Sequence, residues 1–448
     1  MRKLWTLLLA CSLSLVACSD APKDSPESAS ARPDRSGPAG SPSPAGPGLG
    51  RPTRIKVAVP PALATAPFDR DRYLQLPAGW TASVYARVDK ARFMALTPSG
   101  DLLVSQPGAG KVQLIRAGAV SEFASGLRQP HDMVFAPLNG KMYLFIAESN
   151  RVVRYPYDNG DLQAHDGQVV VDGLPDTSTP ELRGAYAHVL KNIAVHGETL
   201  YVSIASTCNA CVQDTVSDPQ RAAIYTYAAA GTNASRHLLA RGIRNAEGLA
   251  FRPGTDELWI VVNNRDNTLV PDDRDVDGDG VSDKGKRMAQ FVDDYPPEEF
   301  IKVRDGGFYG WPFCNPDSDR GLRNMPFLRD YELNRDGQNA DCAKADPIDL
   351  GLPPHSAPLG LTFYNGAAIV PLHGSWNRTK PAGYKVLYIP WTAAGPGEPV
   401  DLATGFVDDA GKWWGRPVDA AVDTDGTLLI SDDGSGTVLR LTPPRAGA

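Results

Sequence analysis

Hydrophobic positions in this chain fall into short runs that recur along most of its length. Each unit has a short apolar strand, a polar turn carrying Gly, Asn or Asp, and a strongly apolar strand ending in small or acidic residues. The first three copies are Met94–Gly100 with Asp101–Ser105, Met133–Gly140 with Lys141–Ala147, and Ile193–Gly197 with Leu200–Ser203. Leu249–Gly254 with Leu258–Val262, Leu361–Gly366 with Ala368–Pro371, and Ala420–Gly426 with Leu428–Ser431 complete six. A third strand often follows, as in Arg151–Tyr155, Ala222–Tyr227, Tyr384–Ile389 and Thr437–Leu441. Repeated strand-turn-strand units predict an all-β fold, and six of them a six-bladed β-propeller, whose ring leaves no long sheet edge exposed. The fourth and fifth copies lie about twice as far apart as the others, which fits either a seventh blade or a large insertion in the fourth; residues 266–283 there are densely acidic, which favours the insertion. Trp80–Tyr85, ahead of the first copy, is expected to complete the last blade and close the ring.

Composition narrows the picture. The 448 residues include 43 Gly and 39 Pro, which suits many turns and excludes a helical bundle or coiled coil. With 45 Lys and Arg against 52 Asp and Glu, the net charge is −7, so no nucleic-acid partner is expected. At the start, Arg2 and Lys3 precede the mostly apolar stretch Leu4–Val16, which is too short to span a bilayer and reads as a secretory signal over 1–17. Leu15-Val16-Ala17-Cys18 is similar to a bacterial lipobox, so Cys18 is the expected site of lipidation and the membrane is contacted only through that anchor. Residues 18–53 are rich in Pro, Ser, Gly and Ala and read as a tether, leaving 54–448 as the folded domain, exported and periplasmic.

Four cysteines remain beyond the signal and the anchor: Cys208, Cys211, Cys314 and Cys342. In an exported chain an even set reads as disulfides, with Cys208 paired to Cys211 and Cys314 to Cys342 among three possible pairings. A zinc site competes, but no His stands at ligand spacing nearby.

Five segments occur in order: Ala91–Leu96, Gly242–Ala250, Gly306–Pro312, His373–Arg378 and Gly415–Val418. Together they resemble the pyrroloquinoline quinone (PQQ)-dependent glucose/sorbosone dehydrogenases over about residues 74–442. The resemblance implies a quinone in the central mouth and oxidation of a sugar or sugar aldehyde by hydride transfer to it. It assigns His188, within Tyr186–Asn192, as the base that takes the hydroxyl proton, a task suited to a pKa near neutrality. Arg244 and Asn245 match the pair set against the quinone, where a guanidinium stabilises developing negative charge. Arg378 and Arg416, with Lys385 on the next strand, match the cations that meet the cofactor's carboxylates. Gln129 and His131 match the lining of the substrate mouth. Asn264 and Arg265 match a segment whose backbone oxygens ligate a calcium ion acting as a Lewis acid. Ala187 stands where glucose-oxidising members often carry Asp, and sorbosone-type relatives lack that Asp too. Electrons are expected to pass to an external acceptor, a quinone or a cytochrome.

A second calcium signal is independent of the resemblance. Asp275, Asp277, Asp279 and Asp283 occupy positions 1, 3, 5 and 9 of a loop with Gly280 at position 6, and Lys286 replaces the usual Glu at position 12. The acidic insertion near 272–286 is therefore expected to hold a structural calcium ion. Two other readings of the ring are a calcium-dependent hydrolase of the lactonase type and a non-catalytic propeller that binds glycans or proteins. Arg and His at the mouth positions, in place of inward Asn, Asp and Glu, favour the dehydrogenase.

Overall fold

The computed structural model describes residues 49–232 and 235–444. The expected signal, Cys18 and the tether through residue 48 lie outside the described residues. Among the described residues no helix is long and apolar enough to cross a membrane.

Six antiparallel sheets follow one another in chain order and form the six blades that the repeat predicts. Blade 1 is built from Met94–Leu96, Leu102–Gln106, Lys111–Arg116 and Ala119–Ala124, from the axis outwards. Blades 2 and 3 start at the inner strands Met133–Leu138 and Asn192–His196; blades 4, 5 and 6 start at Ala246–Phe251, Thr362–Tyr364 and Pro417–Val422. The six inner strands surround a cavity of about 460 Å³. Tight turns join the first two strands of a blade: in blade 2 Leu138 pairs with Lys141, and Asn139 and Gly140 both take positive φ (50° and 76°), the geometry that favours Asn-Gly in a two-residue hairpin. Second strands are wholly apolar where they are buried on both sides, as in Leu258–Val262.

The ring is closed by the N-terminal strand Thr81–Arg87, which pairs antiparallel with Thr437–Thr442 as the outermost strand of blade 6. A side chain reinforces the closure. Asp419, on the inner strand of blade 6, accepts the Met94 backbone N–H of blade 1 and its neighbour Ala420 N–H, both at 2.8 Å. Asp132 makes the equivalent link from blade 2 to blade 3, accepting the N–H of Met133 (2.7 Å) and Ile193 (2.9 Å). A Cβ at Gly360 would stand 2.2 Å from Asp419 Oδ1, so only glycine fits beside this closure.

Blades pack through buried apolar side chains, each of which contributes about 1.5–3 kcal/mol when fully buried. Between blades 4 and 5, Trp259 packs on Phe300 and edge-on to Trp391, each at 4.9 Å between centroids. The expected insertion does lie in blade 4, in two pieces: 263–297, with the acidic loop and the helix Ala289–Asp294, and 303–347. Disulfides join Cys208 to Cys211 and Cys314 to Cys342, as expected. One boundary moves: Pro52–Lys56 is a strand paired with Tyr73–Pro77, so the folded region begins two residues inside the expected tether. Pro52 takes the strand's first position, where a missing N–H is tolerated.

Candidate active site

Inner strands begin, and second strands end, on one face of the ring, so the segments flanking them converge there from every blade. His188 precedes the inner strand of blade 3 and is half-buried. Its Nδ1 lies 2.8 Å from the Ser206 carbonyl oxygen and 3.0 Å from Ser206 Oγ, just past the second strand of the same blade. The carbonyl accepts, so Nδ1 carries the proton and Nε2 keeps its lone pair. Burial, and then the positive charge of Arg244, push the imidazole down to about 4, so it is neutral at neutral pH.

Arg244 is buried at the start of blade 4. Its Nε donates to the Asn209 carbonyl (3.2 Å), Nη1 to the Asn263 carbonyl (3.2 Å), and Nη2 to Asn209 Oδ1 (3.1 Å) and Asp266 Oδ2 (2.9 Å). Asp266 also receives Asn377 Nδ2 at 3.2 Å and lies 3.5 Å from His355 Nδ1. Burial alone would raise this carboxyl, but His355 and Arg244 outweigh it and hold it below the ordinary range. Asn377 belongs to the loop after the second strand of blade 5. The same loop carries Trp376, 73% exposed, and Arg378.

Arg378 and Arg416 share a property that sets them apart from Arg244 and Arg92, which pair with Asp266 and Asp433. Arg378 Nη1 donates to the carbonyls of Asp293 and Pro354, the latter at 3.2 Å, while its buried Nε has no partner. Arg416 donates through Nε to the His373 carbonyl and through Nη2 to the Gly374 carbonyl, both at 3.1 Å. Backbone oxygens hold both guanidiniums, and among the described residues neither forms an ion pair with a carboxylate. Arg416 also lies over the rings of Tyr384 and Trp413, at 5.7 and 5.6 Å, so carbonyl dipoles and aromatic faces, not a carboxylate, meet these charges. The arc His188, Arg244, Asp266, Asn377, Arg378, Arg416 thus spans blades 3 to 6 through a continuous chain of hydrogen bonds and shared loops.

Other expected residues sit elsewhere. His131 is a correction: it is 0% exposed, packed on Phe93 at 4.4 Å, with Nε2 3.2 Å from Glu247 Oε2, so it lies below the mouth and cannot line it. Burial holds its imidazole below the ordinary value. Asn245 is buried with it and donates to Glu247 Oε1 at 3.0 Å. Gln129 is half-buried in a left-handed turn (φ 49°) on the mouth side of blade 2. Lys385 is a second correction: it stands on the third strand of blade 5 with Nζ 2.7 Å from Asp401 on the outermost strand, its charge already matched and turned from the arc.

Asn264 and Arg265 are buried with side chains directed away from the mouth. Asn264 donates to Glu299 Oε1 (2.8 Å) and Arg265 pairs with Asp330 and Glu332 of the second insertion. Only their backbone carbonyls are left for a cation, and among the described residues no donor is directed at either oxygen. In the acidic loop, ligand oxygens of Asp275, Asp277 and Asp283 lie within 4.8 Å of one another. Asp279 does not join them, a correction to the expected set of four. Lys286 Nζ, at the twelfth position, sits 2.9 Å from Asp283 Oδ1, and the N–H groups of Gly278 and Gly280 donate to Asp275, both at 2.7 Å.

Several residues of the site carry no signal strong enough to read from sequence. Asn209, inside the Cys208–Cys211 loop, braces Arg244. His355 backs Asp266. His373 Nε2 lies 2.7 Å from Asp433 Oδ1, and Arg92 Nη1 lies 3.0 Å from Asp433 Oδ2, which joins blades 5, 6 and 1 at the mouth. His373 and Arg92 belong to quoted motifs, so their presence near the site was legible, but their shared carboxylate was not.

Known proteins share this architecture. A pyrroloquinoline quinone-dependent pyranose dehydrogenase of Coprinopsis cinerea is 36% identical over 133 residues, which is 24% of this chain and 18% of that protein. Among solved structures, the holo form of the PQQ domain of pyranose dehydrogenase from Coprinopsis cinerea matches with a TM-score of 0.66 at 21% identity, over 83% of this chain and 97% of that one. A calcium structure of the Trichoderma reesei Carbohydrate-Active Enzymes Family AA12 protein matches with a TM-score of 0.66 at 19% identity, over 82% and 96% of the two chains. The family model described as TrAA12-like matches residues 74–443, a span that takes in every blade, and the chain belongs to that family.

Proposed function

We propose that this protein is a PQQ-dependent dehydrogenase that oxidises a sugar or sugar aldehyde at the mouth of the propeller and hands the electrons to an external acceptor. The observation that carries the reading is the pair Arg378 and Arg416. Two half-buried guanidiniums hydrogen-bonded to backbone carbonyls and paired with no carboxylate among the described residues fit a ligand that brings several carboxylates of its own. The unpartnered buried Nε of Arg378 fits the same ligand. Bound PQQ supplies an electrophilic quinone carbonyl able to take up hydride.

The chain's own part follows from its geometry. Ser206 fixes the His188 tautomer, so Nε2 is free to receive the substrate's hydroxyl proton, and burial keeps it unprotonated until then. Arg244, locked by Asn209, Asn263 and Asp266, offers a fixed positive charge where negative charge develops. Arg378 and Arg416 would bind the cofactor's carboxylates, and the Asn264 and Arg265 carbonyls suit a calcium ion. At the acidic loop a calcium ion would use Asp275, Asp277 and Asp283, with Lys286 leaving Asp283. A lactonase-type hydrolase fits less well, because the mouth carboxylates Asp266 and Asp433 are already engaged by cations. Periplasmic export and the lipid anchor at Cys18 belong to this reading and rest on the sequence alone.

The test is reconstitution of the full chain with PQQ and calcium, following dye reduction with a panel of aldoses, sorbosone and simple aldehydes. Turnover is expected, and Arg378→Ala with Arg416→Ala should weaken PQQ binding by about 10- to 100-fold, the loss of a charge-assisted hydrogen bond or two. Absence of both PQQ binding and turnover would sink the proposal.

A further inference from the structure

The disulfide-bridged turn after the second strand of blade 3 touches both groups on which the proposed chemistry depends. Ser206 holds His188 through its carbonyl, and its own Oγ–H donates to the Cys208 carbonyl at 3.0 Å. Ser206 N–H donates to the Arg244 carbonyl at 2.8 Å, and Ala187 N–H to the Thr207 carbonyl at 2.9 Å. Thr207 in turn is anchored by the buried Asp214, through N–H at 2.7 Å and Oγ1 at 2.9 Å.

Asn209 is the centre of this brace. Its Oδ1 accepts Arg244 Nη2 at 3.1 Å and the Asp266 N–H at 2.8 Å, while its Nδ2 donates to the Asp266 carbonyl at 2.9 Å. Its backbone carbonyl accepts Arg244 Nε at 3.2 Å and Trp311 Nε1 at 3.1 Å. One residue therefore fixes the plane of the guanidinium and the segment that carries its counter-ion. It can do so because Cys208 and Cys211, bonded across three residues, restrict the turn on either side. Asn is required by the pattern: an acceptor toward Arg244 and a donor toward the Asp266 carbonyl must come from one planar group.

We infer that Asn209 is a positioning residue for Arg244, held in place by the Cys208–Cys211 bridge, and that through Arg244 it sets the state of His188. The inference rests on the proposed function for its kinetic consequences, but not for its direct measurement. Of the charged groups that face His188, Arg244 acts to lower its titration while Glu247 and Asp266 act, more weakly, to raise it, so loosening Arg244 is expected to move the His188 titration to higher pH.

The test is NMR titration of the histidines, seven in the chain, in full-length protein without added cofactor, comparing wild type with Asn209→Ala. His188 should titrate at higher pH in the variant. In enzyme reconstituted with PQQ, Asn209→Ala should lower kcat by about 10- to 100-fold, the scale of a misplacement near ~1 Å. The sugar KM should change by less than about threefold. Added to Arg244→Ala, it should cost much less than it does alone, since Arg244 and the Asp266 segment that Asn209 holds form one network. An unmoved His188 titration, or a loss that adds in full to that of Arg244→Ala, overturns the inference. Should Asn209→Ala not fold, Cys208→Ser with Cys211→Ser frees the same turn, and the same shift in His188 is required of it. Wild-type protein that neither binds PQQ nor oxidises sugar would overturn the proposed function, while the NMR titration still decides the role of Asn209.

Discussion

Blades 2 and 3 each place a histidine ahead of the inner strand, and the two imidazoles stand in opposite surroundings. His131 is sealed beneath the mouth, packed at a tilt on Phe93, with Nε2 occupied by Glu247. His188 is half-buried, has Nδ1 occupied by Ser206, and keeps Nε2 open. Burial keeps both neutral at neutral pH. What separates them is which nitrogen the protein uses and whether the other can be reached. A depressed pKa is therefore shared by both imidazoles and does not distinguish the proposed base; the nitrogen left without a partner does.

The largest effect that would break this contrast is on turnover. His188→Ala is expected to lower kcat by about 10²- to 10⁴-fold in the PQQ-reconstituted enzyme, the usual loss of a general base. Its unfolding free energy should stay within about 1 kcal/mol of wild type, since the side chain is half-exposed. Dye-linked kinetics beside denaturant unfolding checks both, and a variant that keeps its rate would remove His188 from the site.

For His131 the order is reversed. His131→Ala leaves Glu247 with Asn245 as its remaining buried donor and opens a cavity against Phe93, so a stability loss of about 3 kcal/mol is expected. The kcat of the folded variant should fall far less than that of His188→Ala. Equal kinetic losses from the two would show that the imidazole below the mouth acts on the substrate after all.

The effect that vanishes at neutral pH, and so is smallest there, is the pH dependence that His188 gives to stability. An unfolded histidine protonates near 6.5, whereas folded His188 does so at about 4. It therefore contributes stability that is present above pH 6.5 and fades as the pH falls toward 4. Buried Asp419, raised by burial to about 7, acts in the opposite sense, contributing stability below the ordinary carboxylate value that is lost as pH rises through 7. Unfolding of His188→Gln across this range should show less loss on the acid side than wild type. The rate itself should hold down to an acid limb in kcat/KM near pH 4 for the free enzyme, set by the same imidazole.

Much of the fold could be read along the chain. Apolar runs such as Leu258–Val262 and turns such as Asn139-Gly140 report local geometry, and local geometry is what a strand repeat needs. The doubled spacing before Leu361 marked the insertion, and Trp80–Tyr85 marked the closing strand. Motifs pointed to His188, Arg244, Arg378 and Arg416, and the structure sets these four on the same face of the ring. Position in the chain misled where a side chain near the mouth in sequence points elsewhere in space, as His131 and Lys385 do. Asp279 fails for a similar reason: its spacing suits a calcium loop, but Asp275, Asp277 and Asp283 converge without it.

By itself, then, the sequence determined the all-β ring, its insertion, its closure and its disulfides, because strands, turns and cysteines declare themselves within a few residues. Only the tertiary structure decided which imidazole can take a proton and which cations stay unpaired with a carboxylate. Those properties depend on partners brought together by the ring: Arg244 and Asn209 are 35 residues apart, Asp266 and Asn377 are 111, His131 and Glu247 are 116. A side chain's charge state and open valence are set by what surrounds it, and in a propeller the surroundings come from other blades.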